Sequence, residues 1–384
     1  MAKFSVIEDK WLRLNPERER ILAILDKFLL RIRADEIVRR EVKMSNDVLH
    51  AKGEKFTIGE DVHIIGFGKA AGEMARAMEG ILGSRLKGGM VNTDHDVSLS
   101  KVKMNIAAHP IPDESTVEYS QVIVNYISDL SEESTIIFLI TGGASSLFEI
   151  PTIPLNEYVK RVSNILRSGK SIEEINRMRT SLSKVKGGKL LKHVKGRWIS
   201  LIISDVPHGF EYVGSGPTFG KGGKNVLLAD NLYARYILHE MLKERGYVIK
   251  THTQFLQEDV RSAAENIIRE CREQSFITGG EVSVNLKNGY GVGGRAQELA
   301  LLVAKHIKDE IFIALGTDGK DGNSPAAGAI VDGKTVEIMR EEVNVENEIR
   351  KHNSYGALMK SRDIIITGPT GTNLADIYLC LKKV

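Results

Sequence analysis

The 384-residue chain carries 53 Lys plus Arg against 50 Asp plus Glu, a formal net charge of +3, with 42% hydrophobic and 27% charged residues. That balance fits a packed globular protein and gives no polyanion-binding signal, so nucleic acid is not an expected partner. Glycine is the outlier at 36 residues, while proline is low at 9, which excludes collagen-like and Pro/Gly-rich disordered classes. Length alone predicts two to three domains. The two cysteines, Cys271 and Cys380, form neither a metal spacing nor a disulfide framework, which predicts a reducing, cytoplasmic setting. No basic flank precedes an apolar core at the N-terminus, so no signal peptide is expected. No run approaches the ~18 apolar residues of a membrane helix.

Residues 18–42 are apolar at helical spacing and predict one long or two shorter amphipathic helices, started by Asn15-Pro16. Their arginines alternate with Glu and Asp, the pattern of a solvated helix face. From Asp61 onward short β-rich runs alternate with helical ones. DVHIIGFG, GGMVNT, MNIAAH, STIIFLITGG and RWISLIISD read as strands, with helices between them. Ser171 and Glu174 stand at capping-box spacing. FGKGGKNVLL, with three glycines, reads as a mobile surface loop. A helix, the strand YVIKTHT and a second helix carry the alternation to Gln274. SFITGGEVSVNL then reads as a strand or strand pair and GGRAQELALLVAKHI as a helix. EIFIALGTDG, GAIVD and DIIITGPTGT read as strands, and NLADIYLCLKKV as a closing helix. Alternating β and α elements argue for a parallel sheet covered on both faces. A domain boundary is expected at residues 250–275.

Nearly every β-rich run ends in a glycine-bearing turn: GFGKAAG, TGGASS, SDVPHGFEYVGSGPT, TGGE, GYGVGGR, GTDGKDGN and TGPTGTN. In an open α/β sheet the carboxyl ends of the strands form the ligand crevice. Glycines there admit tight turns and close approach of backbone amides to a ligand, and helix N-termini favour anions. With Lys69, Lys186, Arg295, Asp205, Asp318 and Asp321 at these turns, the pattern points to an anion site, phosphate first. Gly66-Phe67-Gly68-Lys69-Ala70-Ala71-Gly72 is GxGxxxG between a strand and a helix, close to a dinucleotide fingerprint. An NAD(P)-dependent hydroxy-acid dehydrogenase is therefore a rival reading. Against it, the third glycine is displaced by one position, and Lys69 brings a cation the dinucleotide mode does not need. No Walker A loop and no protein-kinase motif set occurs. GxSxG is not formed around Ser145 and Ser146. Asp94-His95-Asp96 reads as a polar loop, and His109 alone as a structural histidine.

Taken together, GFGKAAGEMA, AAHPIPDEST, TGGASSLFEIP, INRMRTSLSKVKGGKLL, ISDVPHGFEYVGSGPT, GVGGRAQELAL, GTDGKDGNSPAAGAIVD and DIIITGPTGTNLADI resemble, in order, the second-class glycerate kinases with a C-terminal MOFRL domain. The resemblance implies an α/β protein of two domains with the active site in the cleft between them. A Rossmann-like parallel-sheet domain would span 1–255, and a smaller mixed-sheet MOFRL domain 275–384. The helices in 1–45 would pack on the C-terminal domain. It implies ATP-dependent phosphorylation of D-glycerate to 2-phosphoglycerate, with ATP and Mg²⁺ required. Glycerate and ATP are the expected partners, with no membrane and with a homodimer as one option for assembly. A non-catalytic nucleotide-binding protein is the third reading. Three departures from the family pattern stand out: His208-Gly209-Phe210-Glu211 lacks the usual acids, Pro325 replaces an Asp, and Ala144 replaces a glycine. Glu211 is offered as a substitute for the missing acid.

Phosphoryl transfer needs positioning and charge neutralisation more than covalent chemistry. Lys69 and Arg295 match the family's two essential basic positions. Arg295 suits a bidentate grip on the glycerate carboxylate, or a clamp on the transferring phosphoryl. Lys69 is expected to stabilise the transferring phosphoryl or the substrate anion. Asp205 and Asp318 are candidates for a metal ligand and for accepting the 2-hydroxyl proton. Gly142, Gly143, Ser145 and Ser146, with Lys186, Gly187 and Gly188, are expected to cradle the nucleotide phosphates. Ser145 and Asn176 are expected near the substrate. Asn176 and Arg179 share a helical face, as Asn373 and Asp376 would at the start of the closing helix.

Overall fold

The computed structural model describes residues 4–166, 172–207, 209–286 and 291–382; Ser171, His208 and Gly289, used above, lie outside them. The chain divides into two compact units, Ala34–Asp230 and Met1–Arg33 with Asn231–Val384. The division falls at Asp230/Asn231.

α1 (Pro16–Arg31) starts where the Asn15 side chain accepts from the Glu17 and Arg18 amides, with Pro16 at the first helical position. Proline is tolerated there because that N–H has no intrahelical partner. α2 (Ala34–Glu41) follows separately. Arg13 and Arg18 tie the start of α1 to Asp332 and Asp363 of the same unit.

In Ala34–Asp230, β1 (Val42–Ser45), β2 (Val48–Ala51) and β3 (Glu54–Thr57) form a small antiparallel sheet that the sequence pattern does not announce. The main sheet holds six strands: β4 (Val62–Phe67), β5 (Leu86–Thr93), β6 (Lys103–Ile106), β7 (Thr135–Ile140), β8 (Arg197–Ile203) and β9 (Gly223–Ala229). Their order is β6-β5-β4-β7-β8-β9 and every pair is parallel. β4 and β7 are buried along their whole length, as parallel strands covered on both faces require. The order reverses between β4 and β7, so their carboxyl ends form the topological switch point of a Rossmann-like sheet. α3 (Ala71–Leu82) follows β4, α4 (Glu114–Asp129) follows β6, and α5 (Ala144–Leu147) follows β7. α6 (Leu155–Leu166) and α7 (Ile172–Ser181) lead to β8. The segment expected to be a mobile loop contains the edge strand β9. Its glycines mask a run in which Val226 and Leu228 are buried and Leu227 is not.

The other unit adds α8 (Asn231–Lys243), β10 (Lys250–Leu256), α9 (Val260–Cys271), β11 (Phe276–Gly280), α10 (Arg295–Ala304), β12 (Glu310–Gly316), β13 (Gly328–Asp332), β14 (Ile364–Ile365) and β15 (Asp376–Lys382). The sheet order is β10-β11-β15-β12-β13-β14, parallel only between β10 and β11. α8 packs on β10 and β11, which is why the division precedes α8.

Two expectations are corrected here. The closing segment is not a helix: β15 runs through the sheet between β11 and β12, with Ile377 to Leu381 buried. A short continuous apolar run does not separate helix from strand by periodicity, and its length favours a strand. Cys271 and Cys380 are joined by a disulfide, with Cα atoms 5.8 Å apart. Their separation in sequence says nothing of distance, but α9 lies against β15. Among the described residues, no helix is long and apolar enough to cross a membrane.

Candidate active site

The turns after β4 and β7 are laced together at the switch point. The Lys69 amide donates to Gly142 O at 2.9 Å and the Ala70 amide to Thr141 Oγ1 at 3.1 Å. Thr93 Oγ1 in turn donates to Lys69 O at 3.1 Å. These bonds fix the Lys69 backbone, and its side chain runs past Gly143. A Cβ on Gly143 would stand 3.0 Å from Lys69 Cγ and 3.2 and 3.3 Å from His109 Cδ2 and Nε2. Gly143 also has φ +85°, a left-handed conformation that disfavours other residues. A Cβ on Gly142 would overlap the Asp205 carboxylate. The Gly-Gly turn therefore takes Lys69 and His109 against Gly143 and Asp205 against Gly142. Asp94 belongs to the same group: burial opposes its ionisation, but His95, His109 and Lys69 hold its carboxyl below the usual range. His95 bridges Asp94 at 2.9 Å and Glu73 at 2.8 Å. Those hydrogen bonds push its pKa up to about 10.

Beneath this turn lies a buried polar network. The Lys186 ammonium is fully buried, ion-paired to Glu149, and donates to Ser145 O at 2.8 Å. Burial pulls its pKa down against the attraction of Glu149. The Gly187 and Gly188 amides donate to Ser215 O and Gly216 O at 3.0 and 2.8 Å. Lys186, Gly187 and Gly188 thus do not offer the phosphate cradle expected of them, because their donors hold the fold itself. Ser146 Oγ donates to Gly143 O at 3.1 Å. Ser145 Oγ lies 3.3 Å from Ser215 Oγ, which donates to Asn176 Oδ1 at 2.8 Å. Asn176 is 7% exposed, and its Nδ2 is a buried donor with no partner among the described residues.

Arg295 opens α10 in the other unit, beside a cavity of about 820 Å³. Asp321, buried in the wall, caps α10 by accepting from the Ala296 and Gln297 amides at 3.1 and 2.8 Å. Burial, with Asp376 nearby, pushes its pKa up to about 6. Asp376 stands at the start of β15, not on a helix, and takes Arg295 Nε and Nη2 at 2.7 and 3.2 Å. Glu281 Oε1 lies 2.7 Å from the same Nη2. Burial works against the guanidinium, but Asp376 and Glu281 raise its pKa further. Asp318 lines the cavity, its Oδ1 accepting from the Lys320 amide at 3.0 Å. Asp205 and Asp318 lie in different units. Among the described residues no group of three or more His, Cys, Asp or Glu is placed to hold a metal ion.

A family model described as a domain of unknown function, DUF4147, matches residues 20–245, and the MOFRL family model matches residues 274–376. A glycerate 2-kinase from Pyrococcus horikoshii is 33% identical, over 90% of this chain and 92% of its own. A D-glycerate 2-kinase from Thermotoga maritima is 34% identical, over 83% of this chain and 90% of its own. The chain belongs to the glycerate 2-kinase family. A solved glycerate kinase from Thermotoga maritima shares its fold with a TM-score of 0.86 at 28% identity, covering 96% of this chain and 100% of that one.

Within this glycerate 2-kinase frame the GxGxxxG turn has a structural explanation. Cβ atoms on Gly66, Gly68 and Gly72 would collide with Val91, Thr141 and Val97. The Lys69 and Ala70 amides, just before α3, are already bonded to Gly142 O and Thr141 Oγ1, which takes two of the turn's donors away from a dinucleotide pyrophosphate. The sequence departures are also placed: the Glu211 carboxylate folds over Gly209, Pro325 is exposed, and the Ala144 methyl packs on Gly214. Sequence reasoning read His109 as structural and passed over Glu149 and Glu281. Only Glu281 carried a signal, standing directly after a strand-end glycine pair.

Proposed function

We propose that the protein transfers the γ-phosphoryl group of ATP to the 2-hydroxyl of D-glycerate, giving 2-phosphoglycerate and ADP. The observation that carries the reading is the convergence of Lys69, His109 and Asp205 on the Gly142–Gly143 turn at the switch point, in a chain whose relatives are named glycerate 2-kinases. The 2-hydroxyl oxygen bonds to the γ-phosphorus as the bond from that phosphorus to the β–γ bridging oxygen breaks, and ADP carries away the electron pair. Asp205 takes the hydroxyl proton. Lys69 stabilises charge on the equatorial phosphoryl oxygens, the usual main contribution of the protein in such transfers. Arg295 holds the glycerate carboxylate. Gly142, Gly143, Ser145 and Ser146 form the nucleotide-phosphate side, with Lys186 and Glu149 supporting the turn from below. Asn176, with its unpartnered buried Nδ2, faces the substrate side of the same group.

Mg²⁺ arriving on the nucleotide phosphates needs only one or two protein carboxylates, and Asp318 is the group assigned to it. The ion adds charge neutralisation at the phosphates when bound. A coupled ADP-release assay over small hydroxy acids tests it, with a nicotinamide absorbance arm lacking ATP. D-glycerate-dependent ADP release is expected. Nicotinamide turnover without ATP, or ATP binding without turnover, would overturn the reading.

A further inference from the structure

Arg295 does not wait empty-handed for an anion. Asp376 fills its Nε–Nη2 edge at 2.7 and 3.2 Å, and is itself held by the Tyr378 hydroxyl at 3.0 Å. The Asp376 side chain is only 4% exposed, so it is a fixed support. Glu281 differs. Its Oε1 lies 2.7 Å from Nη2, and its side chain is 39% exposed in the cavity wall beyond β11. Nη2 is therefore shared between a buried carboxylate and a partly exposed one. Glu298, Asp318 and Asp321 line the same cavity, against Lys320 and Arg295. An anion entering with Glu281 in place meets an excess of like charge.

We propose that Glu281 sets the affinity of the site for its substrate: its carboxylate occupies the Arg295 Nη2 contact that the substrate carboxylate takes. The proposal rests on the reading of Arg295 as the glycerate grip. Substrate binds by displacing Glu281, so every carboxylate ligand is weakened by the strength of the Glu281–Arg295 pair. That cost is common to all carboxylates, so it lowers affinity and leaves the ratio between ligands unchanged. The half-exposed pair should weaken carboxylate binding about two- to fivefold, the range of solvent-accessible ion pairs. If Glu281 instead merely orients Arg295, its removal would weaken binding, so the sign of the effect separates the two roles.

The test compares wild type with E281Q and E281A. KM for D-glycerate and for ATP is read by ADP release, the inhibition constant of propionate in the same assay, and the dissociation constant of D-glycerate alone by calorimetry. Both variants should lower KM and the dissociation constant for glycerate about two- to fivefold, and should sharpen inhibition by propionate by the same factor. An unchanged or raised glycerate constant, or a change confined to ATP, would overturn the proposal. Absence of glycerate-dependent turnover in the wild type would instead sink the kinase reading, and the calorimetric ratio would still decide on Glu281.

Discussion

Replacing Gly143 by alanine separates backbone strain from crowding at the candidate site. Gly143 has φ +85°, and a Cβ there meets Lys69 and His109 at 3.0 to 3.3 Å. Gly53 is its control: φ is +84° in the same unit, yet nothing lies within 4 Å of the added Cβ. The left-handed conformation costs a non-glycine residue roughly 1–2 kcal/mol, so both substitutions should destabilise similarly. For a unit of this size that corresponds to a fall of about 2–8 °C in Tm. Only Gly143→Ala also pushes Lys69 and His109 aside by a few tenths of an ångström. Misplacement of a reacting group by ~1 Å costs about a hundredfold, so a smaller shift should cost about tenfold in kcat. Thermal melts and ADP release on both purified variants make the comparison. Equal activity in the two variants, at matched Tm, would refute the placement of Lys69 at the reacting centre.

Lys69→Ala and Arg295→Ala should each lower glycerate-dependent turnover at least about a hundredfold, the scale of losing one transition-state contact, while circular dichroism stays native. Near-wild-type turnover in either would remove that residue from the mechanism. His95 provides a pH signature: its pKa rises to about 10 on folding, so its extra stability is full below the ordinary 6.5 and is lost as pH climbs through 10. Because the ring is 44% exposed, the effect should be about 1 kcal/mol or less. His95→Asn should flatten the Tm-against-pH curve between 6.5 and 10, and an unchanged slope would contradict the paired imidazolium.

The parallel sheet was legible because each of its central strands is an apolar run closed by glycine, and Gly66 to Lys69 sat where the switch point needed a turn. The edge strand β9 was not, since its glycines imitate a loop. β15 was misread because its apolar run of five residues, Ile377 to Leu381, holds no usable period. At the candidate site, Lys69, Gly142, Gly143 and Asp205 were singled out from turn chemistry, and Lys69 lies against Gly143 and Asp205 against Gly142. Lys186 was misassigned because a lysine beside glycines looks like a phosphate ligand, while its partner Glu149 lies 37 residues away. The Asp376–Arg295 pair was hidden for the same reason: the two are 81 positions apart, and long-range ion pairing leaves no local pattern.

The central claim is regiospecific phosphoryl transfer to glycerate, and the phosphorus NMR spectrum of the product tests it most directly. Purified protein with ATP, Mg²⁺ and D-glycerate should give the resonance of 2-phosphoglycerate, growing in step with ADP. A 3-phosphoglycerate resonance, or ADP accompanied only by inorganic phosphate, would contradict the account.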